Sequence, residues 1–177
     1  GGLTASSGTL VALSPDGQTL VYRALTNGVF RLYRRSMNEL EATPIGDAGA
    51  GEAFFSPDGQ WLAYIVGTTL RKMPIAGGPS QVLCELSNGM RGASWSEDGV
   101  IVVGGGGTGL LRVPAAGGAP TVIIPPAAGR NLWYGRWLFA MRRPALDGRF
   151  AVCSTNPRRW PCCARTSPSK PTGGAFS

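Results

Sequence analysis

Apolar residues in the first two-thirds of the chain come in short runs that polar turns interrupt at regular intervals. Leu10-Val11-Ala12-Leu13, Ala53-Phe54-Phe55 and Ala93-Ser94-Trp95 each end at a related phrase: Ser14-Pro15-Asp16-Gly17, Ser56-Pro57-Asp58-Gly59 and Ser96-Glu97-Asp98-Gly99. A second apolar run follows each phrase: Thr19-Leu20-Val21-Tyr22, Trp61-Leu62-Ala63-Tyr64-Ile65-Val66 and Val100-Ile101-Val102-Val103. The runs are rich in β-branched and aromatic residues, which fit a pleated sheet. The phrase itself suits a type I turn. Ser opens it, Pro presets φ at the second position, and Gly takes the last place, where the chain needs positive φ. Strand, tight hairpin and strand are therefore the predicted elements.

The serines that open the three phrases are spaced 42 and then 40 residues apart. An independent register repeats with the same period. Leu70-Arg71-Lys72-Met73-Pro74-Ile75-Ala76-Gly77-Gly78-Pro79 is echoed by Leu111-Arg112-Val113-Pro114-Ala115-Ala116-Gly117-Gly118-Ala119-Pro120, and Pro74 and Pro114 are 40 residues apart. Leu32-Tyr33-Arg34-Arg35-Ser36-Met37 is a looser copy in the first unit. Gln81-Val82-Leu83 and Thr121-Val122-Ile123-Ile124 add another short run to the later units. A unit of roughly 40 residues with about four strands is the content of a β-propeller blade. The predicted fold is all-β, a partial β-propeller of about three four-stranded antiparallel blades. The units lie near 8–46, 47–85 and 86–126 within a segment 1–130, and a degraded fourth blade is expected over 131–155.

On these motifs, residues 8–124 resemble the TolB-like, WD-repeat-like bacterial propellers. Gly51–Trp61 and Leu83–Gly89 are most similar to propellers attached to bacterial serine/threonine protein kinases or to winged-helix regulators. The resemblance implies a module of a signalling protein. Kinase-linked members often carry the propeller after a membrane span, which implies a place outside the cytoplasm. Propellers usually close with four to eight blades, and six such units need about 240 residues. A chain of 177 residues that starts with Gly1-Gly2 is thus expected to be a piece of a six- to eight-bladed propeller. An open arc leaves a strand edge and an apolar face uncovered. The isolated chain is accordingly expected to be poorly soluble or to self-associate.

Charge divides the chain. Residues 1–130 hold nine basic and nine acidic residues, whereas residues 131–177 hold eight basic residues and only Asp147 as an acid, so the net charge of +7 sits at the end. Leu146-Asp147-Gly148-Arg149-Phe150-Ala151-Val152 hints at a fourth repeat, but Asp147 follows Asp98 by 49 residues, late for the rhythm. Residues 156–177 contain Arg158-Arg159-Trp160-Pro161-Cys162-Cys163 and read as a biased, disordered tail. Three readings of this end stand open. One is an irregular fourth blade with a loose terminus. Another is a basic arm drawn to the phosphates of nucleic acid or anionic lipid. The third is sequence read out of frame from somewhere near 130–155.

Chemistry-bearing strings lead to no catalytic, cofactor-binding or metal residue. The chain has no histidine, the commonest metal ligand and the usual partner of a Ser or Cys nucleophile. Cys162-Cys163 is a vicinal pair without a second pair at zinc spacing, and Cys84 beside a strand reads as a small core residue. Gly104-Gly105-Gly106-Gly107-Thr108-Gly109 lacks the Lys-Ser/Thr of a phosphate loop and reads as a hairpin loop between Val103 and Leu110. Asp16, Asp58 and Asp98 occupy the same turn of separate units, so they are expected to hold local N–H groups rather than one ion. The site residues assigned are therefore structural: Ser14, Pro15, Asp16, Gly17, Ser56, Pro57, Asp58, Gly59, Ser96, Asp98 and Gly99. Leu13, Phe55 and Trp95 share a repeat position and are expected to pack between blades.

The function that follows is a non-catalytic interaction or sensor module. Its expected partner is a protein or small-molecule ligand at a propeller face. No cofactor or nucleic acid is expected, and membrane association is expected only through a missing part of the parent protein. Two alternatives share the fold. One is the gating propeller of a prolyl-oligopeptidase-like serine peptidase, whose G-x-S-x-G elbow and His would lie in a neighbouring domain. The other is a periplasmic TolB-type scaffold.

Overall fold

A computed structural model describes residues 11–105 and 107–125. The chain divides into two compact units, Gly1–Trp137 and Leu138–Ser177, and every described residue belongs to the first. The degraded fourth blade expected over 131–155 and the basic tail over 156–177 lie outside the described residues.

The described residues form strands and turns without a helix. The first sheet holds β1 (Val11–Leu13), β2 (Thr19–Thr26), β3 (Val29–Ser36) and β4 (Thr43–Ile45). The second holds β5 (Ala50–Phe55), β6 (Trp61–Val66), β7 (Thr69–Pro74) and β8 (Gln81–Glu85). The third holds β9 (Met90–Trp95), β10 (Val100–Gly105), β11 (Gly109–Pro114) and β12 (Thr121–Ile124). Each sheet is a four-stranded meander in chain order, antiparallel throughout, as short connections require. The β2–β3 turn is Asn27-Gly28, with φ of 52° and 76°. Two consecutive positive-φ residues give the primed turn whose twist matches the flanking strands.

Two elements extend beyond the sequence reading. β2 continues past Tyr22 to Thr26, carrying the buried Arg23 and Ala24 into the ladder with β3. Gly104 and Gly105, expected in a loop, instead lengthen β10 and pair with Leu110 and Gly109. β4 contains Pro44 paired to Tyr33, and proline is tolerated there because β4 is an edge strand.

Side chains alternate faces along a strand, and the second sheet uses both faces. Leu62 and Tyr64 of β6 pack with Val21, Leu32 and Ile45 of the first sheet. Ala63 and Ile65 of the same strand pack with Trp95, Ile101, Val103 and Val113 of the third. Leu62, Ala63 and Tyr64 are fully buried. At roughly 1.5–3 kcal/mol for each fully buried large aliphatic side chain, these two interfaces are the main source of cohesion. A Cβ at Gly51 would lie 3.0 Å from the Ile65 side chain, which would have to shift by a few tenths of an ångström to admit it.

Candidate interaction surface

The recurrent turns are built alike. Gly17 N–H donates to the Ser14 carbonyl at 2.9 Å, Gly59 to Ser56 at 2.9 Å, and Gly99 to Ser96 at 3.1 Å. The three glycines have φ of 73°, 70° and 74°, the left-handed geometry that closes the hairpin. Inside the first turn, Ser14 Oγ donates to Asp16 Oδ1 at 2.5 Å and accepts from Thr19 N–H at 2.8 Å, while Gln18 N–H donates to Asp16 at 3.0 Å. Ser56, Asp58, Gln60 and Trp61 repeat the pattern. The Ser hydroxyl and then the backbone N–H hold the Asp16 and Asp58 carboxyls below their ordinary pKa. Ser96 bonds Asp98 in the third turn, which is one residue shorter: Ser96 N–H reaches Val100, where Ser14 reaches Thr19. Pro15 is exposed and Pro57 half-buried at the turn surface. Each aspartate is thus committed to its own turn, and no group of three potential metal ligands converges among the described residues. Cys84 is a buried free thiol in the core between the second and third sheets, and burial raises its pKa.

Sequence reasoning missed the polar groups at the first junction. Tyr64 Oη donates to Asp47 Oδ2 at 2.7 Å, Ser80 Oγ donates to the same oxygen at 3.1 Å, and Arg71 Nη1 approaches it at 3.5 Å. Asp47 belongs to the linker leaving β4, so this latch ties the exit of the first sheet to β6, β7 and the β7–β8 loop of the second. Gly46 beside it has φ 75°, and a Cβ there would touch the Tyr64 ring at 3.4 Å. Burial, then the hydrogen bond to Asp47, pushes the Tyr64 hydroxyl up to about 12. Across the same junction Arg34 Nη1 donates to the Ile75 carbonyl at 2.5 Å. Arg34 also lines a cleft of about 290 Å³ with Thr19, Ser36, Glu39, Glu41 and Ile75. Residues 17 to 41 apart in sequence make these contacts, and only the stacking of one sheet on the next brings them together.

The outward face of the first sheet differs from its counterparts. Register defines equivalence: Leu20 pairs with Leu13 and Arg35, Leu62 with Phe55 and Met73, and Ile101 with Trp95 and Val113. Phe55 and Trp95 pack against inter-sheet cores, as expected, but Leu13 is 54% exposed. The reason is topological: Leu13 shares the face of Leu20, whereas the second sheet packs on the opposite face, where Val21 lies. Val11, at 50% exposure, continues this apolar face, and Tyr22 and Tyr33 stack at 5.7 Å within it.

No protein-family model matches the chain, and no curated protein matches it in sequence. Solved structures do match. A putative TolB from Agrobacterium tumefaciens is similar at 16% identity and a TM-score of 0.54, over 67% of this chain and 50% of that one. TolB from Acinetobacter baumannii is similar at 18% identity and a TM-score of 0.54, over 66% of this chain and 32% of that one. The three sheets are blades of a β-propeller. The AtxE2 isopeptidase is also similar, at 11% identity and a TM-score of 0.54, over 70% of this chain and 21% of that protein. The chain spans half of the first TolB and about a third of the second, and at these identities the likeness concerns the fold. A partial propeller with TolB-like blades is the architecture, and the blade junctions and the first blade's outward face are its candidate interaction surfaces.

Proposed function

We propose that this chain is a non-catalytic interaction module, the sensor or docking propeller of a bacterial signalling protein such as a serine/threonine kinase. The observation that supports recognition is the cleft of about 290 Å³ at the first blade junction, where Arg34, Glu39, Glu41 and three hydroxyl-bearing side chains surround Ile75 and Ala76. A few polar groups around an apolar floor orient a ligand without committing the site to bond chemistry. The partner is a protein or small molecule, and the parent carries the module outside the cytoplasm, after a membrane span. Recovery of the flanking reading frame tests the parent. Kinase His-Arg-Asp and Asp-Phe-Gly sets support the reading, whereas a hydrolase domain carrying a G-x-S-x-G elbow replaces it with the peptidase alternative. That alternative draws on the likeness to the isopeptidase, and a periplasmic scaffold draws on the likeness to two TolB proteins.

A further inference from the structure

We infer that the cleft at the first blade junction takes an organic cation, an alkylammonium or guanidinium group on an aliphatic stem, with Glu39 and Glu41 as its counter-charges. The inference rests on the reading of this cleft as the recognition site and adds the chemistry of the ligand. The cleft lies between the β3–β4 loop of the first blade and Ile75 and Ala76, which open the β7–β8 loop of the second. The three blades show what such a loop requires for its shape. Residues 37–42, 75–80 and 115–120 are equivalent six-residue connections between the third and fourth strands of their blades. All three open with the same two backbone bonds. Met37, Ile75 and Ala115 N–H donate to the Gln18, Gln60 and Gly99 carbonyls, and Glu39, Gly77 and Gly117 N–H donate to the Ser36, Pro74 and Pro114 carbonyls. The later blades complete the turn with Gly77-Gly78 and Gly117-Gly118, all at positive φ. The first blade carries Glu39-Leu40-Glu41 where the second carries Gly77-Gly78-Pro79. Closing the turn therefore requires neither carboxylate, and both line the cleft.

The charges in the cleft do not cancel one another. Two carboxylates face one guanidinium, which leaves one negative charge in excess. Arg34 is held by the second blade, its Nη1 donating to the Ile75 carbonyl at 2.5 Å. Among the described residues it makes no ion pair with either glutamate, and neither glutamate carboxylate has a hydrogen-bond partner. The hydroxyls of Thr19, Ser36 and Thr43 add acceptors, and Ile75 and Ala76 supply apolar surface. A basic side chain matches both parts: its methylenes lie on apolar atoms while its charged head reaches the acceptors. An anion would meet the glutamates as like charges. An uncharged apolar group would desolvate them without replacing the lost water.

The test titrates the isotope-labelled full chain and follows its backbone amide resonances. The probes are N-acetyl-Ala-Lys-Ala-amide, the same peptide with norleucine or glutamate in place of lysine, and 1,4-diaminobutane. The lysine peptide is expected to shift Thr19, Ser36, Thr43 and Ala76 saturably, and the norleucine and glutamate peptides to leave them unmoved. Glu39→Gln with Glu41→Gln should weaken the lysine peptide by about three- to tenfold. Replacing the loop by the second blade's sequence, with Glu39→Gly, Leu40→Gly and Glu41→Pro, should abolish its binding while the chain still melts cooperatively. Tighter binding of the peptide than of diaminobutane assigns the cation to a protein side chain, and the reverse assigns it to a free amine; either supports the proposal. Norleucine or glutamate binding as tightly as lysine overturns it and leaves the interaction module standing. Lysine-induced shifts that survive both sets of substitutions also overturn it. If no probe moves these residues, the cation and the cleft's role in recognition fall together.

Discussion

The two blade junctions solve the same packing problem with different chemistry. At the first, eight buried residues meet, among them Tyr64, whose hydroxyl is held by Asp47. At the second, Val103 stands at the Tyr64 position, and a larger cluster of Ile101, Val103, Trp95, Leu70 and their neighbours closes without a charged latch among the described residues. A polar bond that crosses it joins backbone to backbone, Gly118 N–H to the Leu83 carbonyl at 3.0 Å. One repeat length therefore accommodates either a junction with directional side-chain hydrogen bonds or an apolar one. The position that faces the preceding blade is Tyr64 at the first junction and Val103 at the second.

Truncating the core breaks both junctions and gives the largest effects. Tyr64→Ala is expected to cost about 3–5 kcal/mol and Ile101→Ala about 2–5 kcal/mol in urea unfolding, with the Ile101 effect unchanged by salt. A smaller change isolates the latch. Tyr64→Phe keeps the ring, removes one hydrogen bond to a carboxylate, and is expected to cost about 1.5–3 kcal/mol, with no counterpart to remove at Val103.

The same pair predicts an alkaline difference. Folding raises the Tyr64 pKa from 10.0 to about 12, so the native state holds this proton more tightly than the unfolded chain. The resulting stability is complete below pH 10 and is lost as pH rises towards 12. A pH-dependent denaturation series should show that loss in the native sequence and a flatter profile in Tyr64→Phe. Weaker again is the ion pair. Arg71 and Asp47 side chains are 30% and 40% exposed, so Arg71→Gln is expected to cost only about 0.2–1 kcal/mol and to lose that effect at high salt.

The turns give the smallest and least localised effect. Asp16 and Asp58 have lowered pKa values from their Ser and backbone N–H donors. Their stabilisation is present above the ordinary carboxylate value of 3.8 and fades as pH falls below it towards the folded pKa. Asp16→Asn and Asp58→Asn together should reduce the acid sensitivity of unfolding without altering either junction.

The blades were legible because each Ser-x-Asp-Gly turn is local: its geometry depends on residues within five positions of one another. β4 was not, since Thr43 and Ile45 are strand formers but three residues broken by Pro44 are too short to show an alternating pattern, and they pair with Leu32–Arg34. The latch was hidden for a different reason. Asp47 and Ser80 look like ordinary loop residues, and their convergence on Tyr64 depends on the stacking of one blade upon another. Leu13 shows the converse limit: its repeat position predicts burial, but burial also requires a neighbour.

Asp47 also bears on how the chain avoids assembling its repeats in the wrong order. Repeats of similar sequence can pair out of turn while folding, and interdomain misassembly is a recognised failure of such arrays. The second blade's receiving face presents Tyr64 and Arg71, which need the carboxylate that the first blade's exit delivers; the third presents Val103 and Leu111, which would strand one. A skipped or swapped pairing leaves the buried Tyr64 phenol without its complement, and specificity of this kind comes from penalising the wrong match. The linker residue works as a key: it gives otherwise similar blades an address.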